Sequence, residues 1–97
     1  MRSYVILANW TDQGVKNSRD TLKRAKAFRA LIEGRGGKLR EHLYTFGEYD
    51  IVMVTEFTDD ESAAAAVLAL AALGNIRAKT MRAFTDGETA AIIAQLG

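Results

Sequence analysis

The spacing of apolar and polar residues changes several times along the chain, and each change marks an element. Tyr4-Val5-Ile6-Leu7-Ala8 is an unbroken apolar run rich in strand formers, which predicts a first strand ending near Trp10. Thr11 to Gly14 then reads as a turn. From about Ser18 the period becomes helical. Leu22, Ala25, Phe28, Leu31 and Ile32 fall on one stripe, with Arg19, Lys23, Arg24, Lys26 and Arg29 largely off it. Gly34, Gly36 and Gly37 end this helix. Leu39 to Phe46 predicts a second strand, with Leu39 and Leu43 on one face and Arg40, His42, Tyr44 and Phe46 on the other. A tight reversal at Gly47-Glu48-Tyr49 leads into a third strand, Asp50 to Phe57, so these two strands form a hairpin. Thr58 as N-cap and Glu61 at N3 predict a capping box, with Asp59 and Asp60 suiting the helix dipole. The alanine-rich helix that follows runs to about Leu73 and stops at Gly74-Asn75. Ile76 to Phe84 is a fourth strand, and a second capping box, Thr85 to Glu88, opens a short last helix carrying Ile92, Ile93 and Leu96.

The resulting order is β-α-β-β-α-β plus a C-terminal helix. It predicts an α+β, ferredoxin-like domain with one antiparallel four-stranded sheet, order 4-1-3-2, and both main helices on one face. Aromatic-Thr-Asp recurs at Trp10-Thr11-Asp12, Phe57-Thr58-Asp59 and Phe84-Thr85-Asp86, each time at a strand end. There the aromatic closes a core edge and the Thr or Asp meets free backbone N–H groups. The first and second copies mark corresponding points of two βαβ halves. The two central strands are apolar on both faces, whereas a half-exposed antiparallel strand alternates with polar residues. Helices cover one face only. A second copy of the sheet, in an isologous homodimer, is the simplest cover for the other. The competing cover is the last helix folded back, but Ile92, Ile93 and Leu96 are few for the area.

The chain's 97 residues suit a single domain, residues 1–97. Apolar residues make up 48% and charged residues 26%, a folded rather than a disordered balance. A formal charge of +1 gives no footprint for nucleic acid or an anionic membrane. The absence of cysteine excludes disulfides, a thiolate nucleophile and zinc–thiolate sites. The apolar run near the N-terminus is too short for a signal peptide, and Ala63 to Leu73 is too short to span a bilayer. A cytoplasmic location is the expectation.

At Gly47-Glu48-Tyr49-Asp50 the chain resembles the GYD-domain proteins, a bacterial family named for this motif. The resemblance runs nearly end to end. It includes Trp10-Thr11-Asp12-Gln13-Gly14, the Gly36-Gly37-Lys38 lead into the second strand, Leu73-Gly74-Asn75 and Arg82-Ala83-Phe84-Thr85. It implies a dimeric α/β barrel, in which two sheets close around a shared interior, and it implies no particular reaction. The chain is also similar to the effector-binding domains of leucine-responsive regulators, which bind small molecules near subunit contacts. It lacks their DNA-binding helix-turn-helix.

Six residues stand out as ligand-binding candidates: Trp10, His42, Tyr44, Tyr49, Asp50 and Arg82. A carboxylate beside a phenol, Asp50 with Tyr49, could polarise a ligand at a barrel rim. An Asp after a glycine turn more often accepts backbone N–H bonds and holds the reversal. His42 is the only histidine. It shares a predicted face with Arg40 and Tyr44, the face assigned to the barrel interior, and no second ligand stands at metal spacing. Trp10 reads most simply as a packed core edge. Arg77, Lys79 and Arg82 lie on the fourth strand. Arg82 would pair with an anion or with Asp50 if it faces inward, and such charges also keep an edge strand from aggregating. Nothing matches a nucleotide-binding loop, a nucleophile elbow or a Ser-His-Asp set. The expected function is small-molecule binding or sensing by a homodimer or larger assembly, with no metal or cofactor indicated. One alternative is a cofactor-independent or haem-using monooxygenase-like enzyme, suggested by Asn9, Trp10 and His42 through residue type alone. The other is a structural interaction module.

Overall fold

In the computed structural model, which describes residues 1–97, strand β1 (Arg2–Trp10) is followed by a short helix α1 (Asp12–Lys16), a 3-10 turn at Ser18–Asp20 and helix α2 (Thr21–Gly34). The hairpin β2 (Lys38–Tyr44) and β3 (Ile51–Phe57) comes next, then α3 (Asp60–Ala72), β4 (Ile76–Ala83) and α4 (Asp86–Ala94). The sheet order is β2-β3-β1-β4 with every pair antiparallel. This is the expected ferredoxin-like order read from the opposite edge. The predicted turn after β1 is a helix instead, capped by Thr11, whose hydroxyl accepts from the Gly14 N–H at 3.1 Å.

The period-2 alternation sets the core. Tyr4, Ile6 and Ala8 of β1, and Ile51, Met53, Thr55 and Phe57 of β3, are buried. They meet Phe28 and Ile32 of α2 and Ala63, Ala66 and Leu70 of α3 in one cluster. The intervening residues Val5, Leu7, Val52 and Val54 face the other way and stay partly exposed. Leu22, on the predicted stripe, sits in the first turn of α2 and is 73% exposed. Packing on the sheet starts a turn later, with Ala25 and Phe28.

Two sequence expectations are corrected. The cap of α3 is Asp59, not Thr58: the Asp59 carboxylate accepts from the Ser62 N–H at 2.8 Å. Two adjacent residues compete for one cap, and the carboxylate wins because it also meets the positive end of the helix dipole. That bond holds the Asp59 carboxyl below its ordinary range. The second correction concerns β2. Its register against β3 shifts between Leu39 and Glu41, leaving Arg40 as an extra residue. A bulge of one residue exchanges the faces beyond it. Leu39, His42 and Tyr44, opposite Thr55, Met53 and Ile51, therefore share the helix-covered face, and Leu43, opposite Val52, lies on the open one. Alternation read straight through Arg40 gives the reverse.

The last helix does not fold back over the open face. No residue of α4 is buried, and its capping box is formed as the sequence predicts, with Thr85 and Glu88 bonded reciprocally.

Candidate functional site

The six candidate residues fall into three places rather than one. Trp10, His42 and Tyr44 meet on the helix side. Tyr49 and Asp50 lie at the hairpin end of β1. Arg82 lies at the opposite end of the sheet.

The helix-side group encloses a cavity of about 10 Å³, lined by Trp10, Thr21, Arg24, Phe28, His42 and Tyr44 among others. That is room for about one water molecule. The His42 ring stacks on Phe28, with centroids 6.4 Å apart, and lies 5.1 Å from the Tyr44 ring. Its Nε2 is buried without a hydrogen-bond partner. Burial, and secondarily the Arg29 charge, hold the imidazole below its ordinary 6.5, while burial pushes the Tyr44 phenol up. This has a pH consequence. The unfolded chain takes up a proton at the ordinary value and the folded chain only at lower pH. Stability is therefore full above about 6.5 and declines as pH falls through that value. An NMR titration of the His42 ring should show a midpoint below 6.5, and His42→Gln should remove that part of the pH dependence. A midpoint at or above 6.5 contradicts the packing described.

At the hairpin end, Asp50 ties two strands together. Its carboxylate accepts from the Trp10 N–H at 3.0 Å and lies 3.5 Å from Asn9 Nδ2. Its own N–H donates to the Ala8 carbonyl at 3.0 Å, and its carbonyl accepts from the Thr45 N–H at 2.9 Å. Asn9 Nδ2 also donates to the Glu48 carbonyl at 2.8 Å. The aspartate thus fastens the hairpin to the end of β1, where the sequence predicts a local turn bond. Asp50→Asn retains an oxygen for the Trp10 N–H, whereas Asp50→Ala leaves that donor unpaired, at about 1–3 kcal/mol where water is excluded. Urea midpoints should rank wild type at or above Asn, with Ala clearly lowest. A variant more stable than wild type would make Asp50 a strained functional group instead.

Arg82 is remote from Asp50. It lies across from Tyr4 on the helix-covered face, its guanidinium 5.6 Å from the Tyr4 ring and 4.5 Å from the Phe84 ring. Its carboxylate partner is Glu88, at 3.0 Å. Nearby, the Tyr4 hydroxyl donates to Asp60 at 2.6 Å. Burial first, and then Asp60, raise the Tyr4 phenol, and the same bond lowers the Asp60 carboxyl. Sequence reading missed this Tyr4–Asp60–Arg82 group because its members are far apart in the chain and carry no local motif.

The open face presents a further set. Cross-strand pairing places Val5 opposite both Val54 and Met81, and Val52 opposite both Leu7 and Leu43. The six side chains form one apolar patch. At its hairpin end Asn9, Arg77, Ala78 and Lys79 line a cavity of about 340 Å³, with Lys79 Nζ 5.8 Å from the Tyr49 ring centroid. Arg77 and Lys79 join none of the chain's ion pairs. No three of His, Asp and Glu come together in a way that could hold a metal ion, and no helix is long and apolar enough to cross a membrane.

These features define an α+β protein of ferredoxin-like fold with one bare sheet face. The GYD domain family model matches residues 4–93, and the chain belongs to that family. The crystal structure of TTHA0845 from Thermus thermophilus shares the fold, with a TM-score of 0.58 at 21% identity over 88% of this chain and 95% of that one. No curated protein matches.

Proposed function

We propose that the protein is a self-pairing small-molecule binding domain, whose open sheet face closes against that of a second copy and shelters a ligand between them. The observation that carries this reading is the bare patch of Val5, Leu7, Leu43, Val52, Val54 and Met81 at the centre of the sheet. Leu43 and Met81 are 53% and 50% exposed, and the one helix free to cover them stays away. Covering a half-exposed aliphatic side chain contributes on the order of 1 kcal/mol, and a two-fold contact counts each residue twice. The polar groups Asn9, Arg77 and Lys79 at the margin supply the few directed contacts that a binding pocket needs. Enzyme chemistry would call for converging polar groups with shifted pKa values in a cavity that admits substrate. His42 and Tyr44 carry such shifts, but their shared cavity holds about one water. Binding is therefore the reading the geometry favours. Native mass spectrometry after exposure to cell extract tests it. A dimer retaining a small mass is expected. A bare dimer would leave only an interaction module, and a monomer would remove the reading altogether.

A further inference from the structure

The charges on the open sheet face do not balance. Strand pairing puts Lys38 and Glu41 of β2, Glu56 of β3, and Arg77 and Lys79 of β4 on the same side as Val5 and Leu7. Glu56 is taken by Arg40. That leaves one carboxylate, Glu41, against three cations that join no ion pair, Lys38, Arg77 and Lys79. The face therefore holds a surplus of two positive charges, in a chain whose whole formal charge is +1. The hairpin acids Glu48 and Asp50 form no ion pair with Arg77 or Lys79, and the Asp50 carboxylate is held by the Trp10 N–H.

Two of the three free cations stand together, while Lys38 lies on the far edge strand. Arg77 is opposite Asn9 and Lys79 is opposite Leu7, and their spacing of two sends both side chains off the same face. Both are exposed. With Asn9 they line the cavity of about 340 Å³, a volume within the range of small-molecule sites. The Tyr49 ring lies beside Lys79. Leu7, across from Lys79, is itself paired with Val52, so the cationic end of the face runs directly into the apolar patch. Closing two such faces takes water from the cations, which is costly without a counter-charge. A second copy brings a surplus of the same sign and one free carboxylate for three cations.

We infer that the ligand sheltered between the paired faces is an organic anion, its carboxylate or phosphate held by Arg77 and Lys79 and its apolar body laid along Leu7 and Val52. This rests on the pairing proposed above and names the class of molecule that completes it. Arginine presents a planar fork that matches either acid group, and lysine adds a compact point charge. The ligand supplies the negative charge that neither copy has to give.

Two dyes of one shape test the class: anilinonaphthalene sulfonate, an anion on an apolar body, and phenylnaphthylamine, the same body without the charge. In fluorescence titrations the wild type should bind the sulfonate about tenfold more tightly than the neutral dye, or better. Arg77→Gln/Lys79→Gln should abolish that preference with the circular dichroism unchanged. Arg19→Gln/Lys26→Gln, which removes the same charge from exposed residues away from the sheet face, should keep it. Inorganic phosphate, an anion with no apolar body, should displace little of the sulfonate dye at equal concentration; displacement as effective as that by unlabelled apolar sulfonate would overturn the role given to Leu7 and Val52. Equal binding of the two dyes by the wild type, or a preference that survives Arg77→Gln/Lys79→Gln, overturns the inference and leaves the two cations as protection of an edge strand. Sedimentation of the same samples separates this failure from that of the pairing. A dimer without the preference removes the anion alone, whereas a monomer removes the paired faces and with them the sheltered site, whichever dye binds.

Discussion

Gly14→Ala should destabilise the protein by about 3 kcal/mol, the upper end of the cost of forcing an atom into a packed site, and is expected to be among the most damaging single-methyl additions in the chain. Gly14 is the only buried residue of α1. A β-carbon there would run into the Asn75 carbonyl oxygen, with the Asn75 carbonyl carbon at 3.1 Å and Trp10 Cβ at 3.3 Å. The obstacle is backbone, and it is held in place. The Thr11 N–H donates to that same Asn75 carbonyl at 3.1 Å, the Thr11 hydroxyl donates to the Gly74 carbonyl at 2.6 Å, and Gln13 reaches Leu73 and Asn75. The segment after β1 and the segment before β4 thus close on each other, and both fall within the residues 4–93 that the GYD domain model matches. Small domains have total stabilities of about 5–15 kcal/mol, so this one change should remove a large share. The check is a urea or thermal melt of Gly14→Ala beside Gly34→Ala, where an added β-carbon meets nothing within 4 Å. Equal midpoints for the two variants would contradict the close approach.

The second large effect centres on Phe57. Its side chain is fully buried, and its ring meets the Tyr4 ring edge-on with centroids 6.0 Å apart. Phe57→Ala should cost about 3–5 kcal/mol, as for other buried aromatics. The ring also fills the space over Gly37, where an added β-carbon would lie 2.7 Å from Phe57 Cδ1 and 2.9 Å from Cζ. Gly37→Ala should therefore cost about 1–3 kcal/mol in the wild-type background and little once the ring is gone. The two changes are non-additive because they share one volume. A double-mutant cycle by urea unfolding reads this coupling directly. Additive costs would mean that Gly37 is needed for another reason.

The sequence foretells the order of the four strands and the three longer helices, the strand order in the sheet and the last capping box because each has a local cause: hydrophobic period, glycine stops, or a Thr and a Glu three residues apart; the short helix α1, read as a turn, it does not. It fails where a tertiary event intervenes. The bulge at Arg40 leaves no mark in the hydrophobic pattern, yet it moves His42 and Tyr44 away from the bare face and onto the helix-covered side, at the edge of the core. The strand carrying Arg82 is predicted, but not the partner that Arg82 takes. Glu88 is brought to it by the turn into α4, while Asp50 is engaged with Trp10 at the other end of the sheet. The candidate residues stand out by type, and type does not report which end of a sheet a side chain occupies. The bare patch was legible, since two-sided apolar strands are a property of sequence, and Val5, Leu7, Val52 and Val54 lie uncovered as the pattern requires.

That patch is the centre of the account, and sedimentation equilibrium of the wild type and Val54→Asp tests it most directly. The wild type should sediment at micromolar concentration with the mass of two chains or more. Val54→Asp places a charge opposite Val5, with Glu41 on its other side, and should lower that mass while leaving the fold intact by circular dichroism. A wild type that stays monomeric up to high concentration, or a Val54→Asp variant that associates as the wild type does, would contradict the pairing of the bare sheet faces.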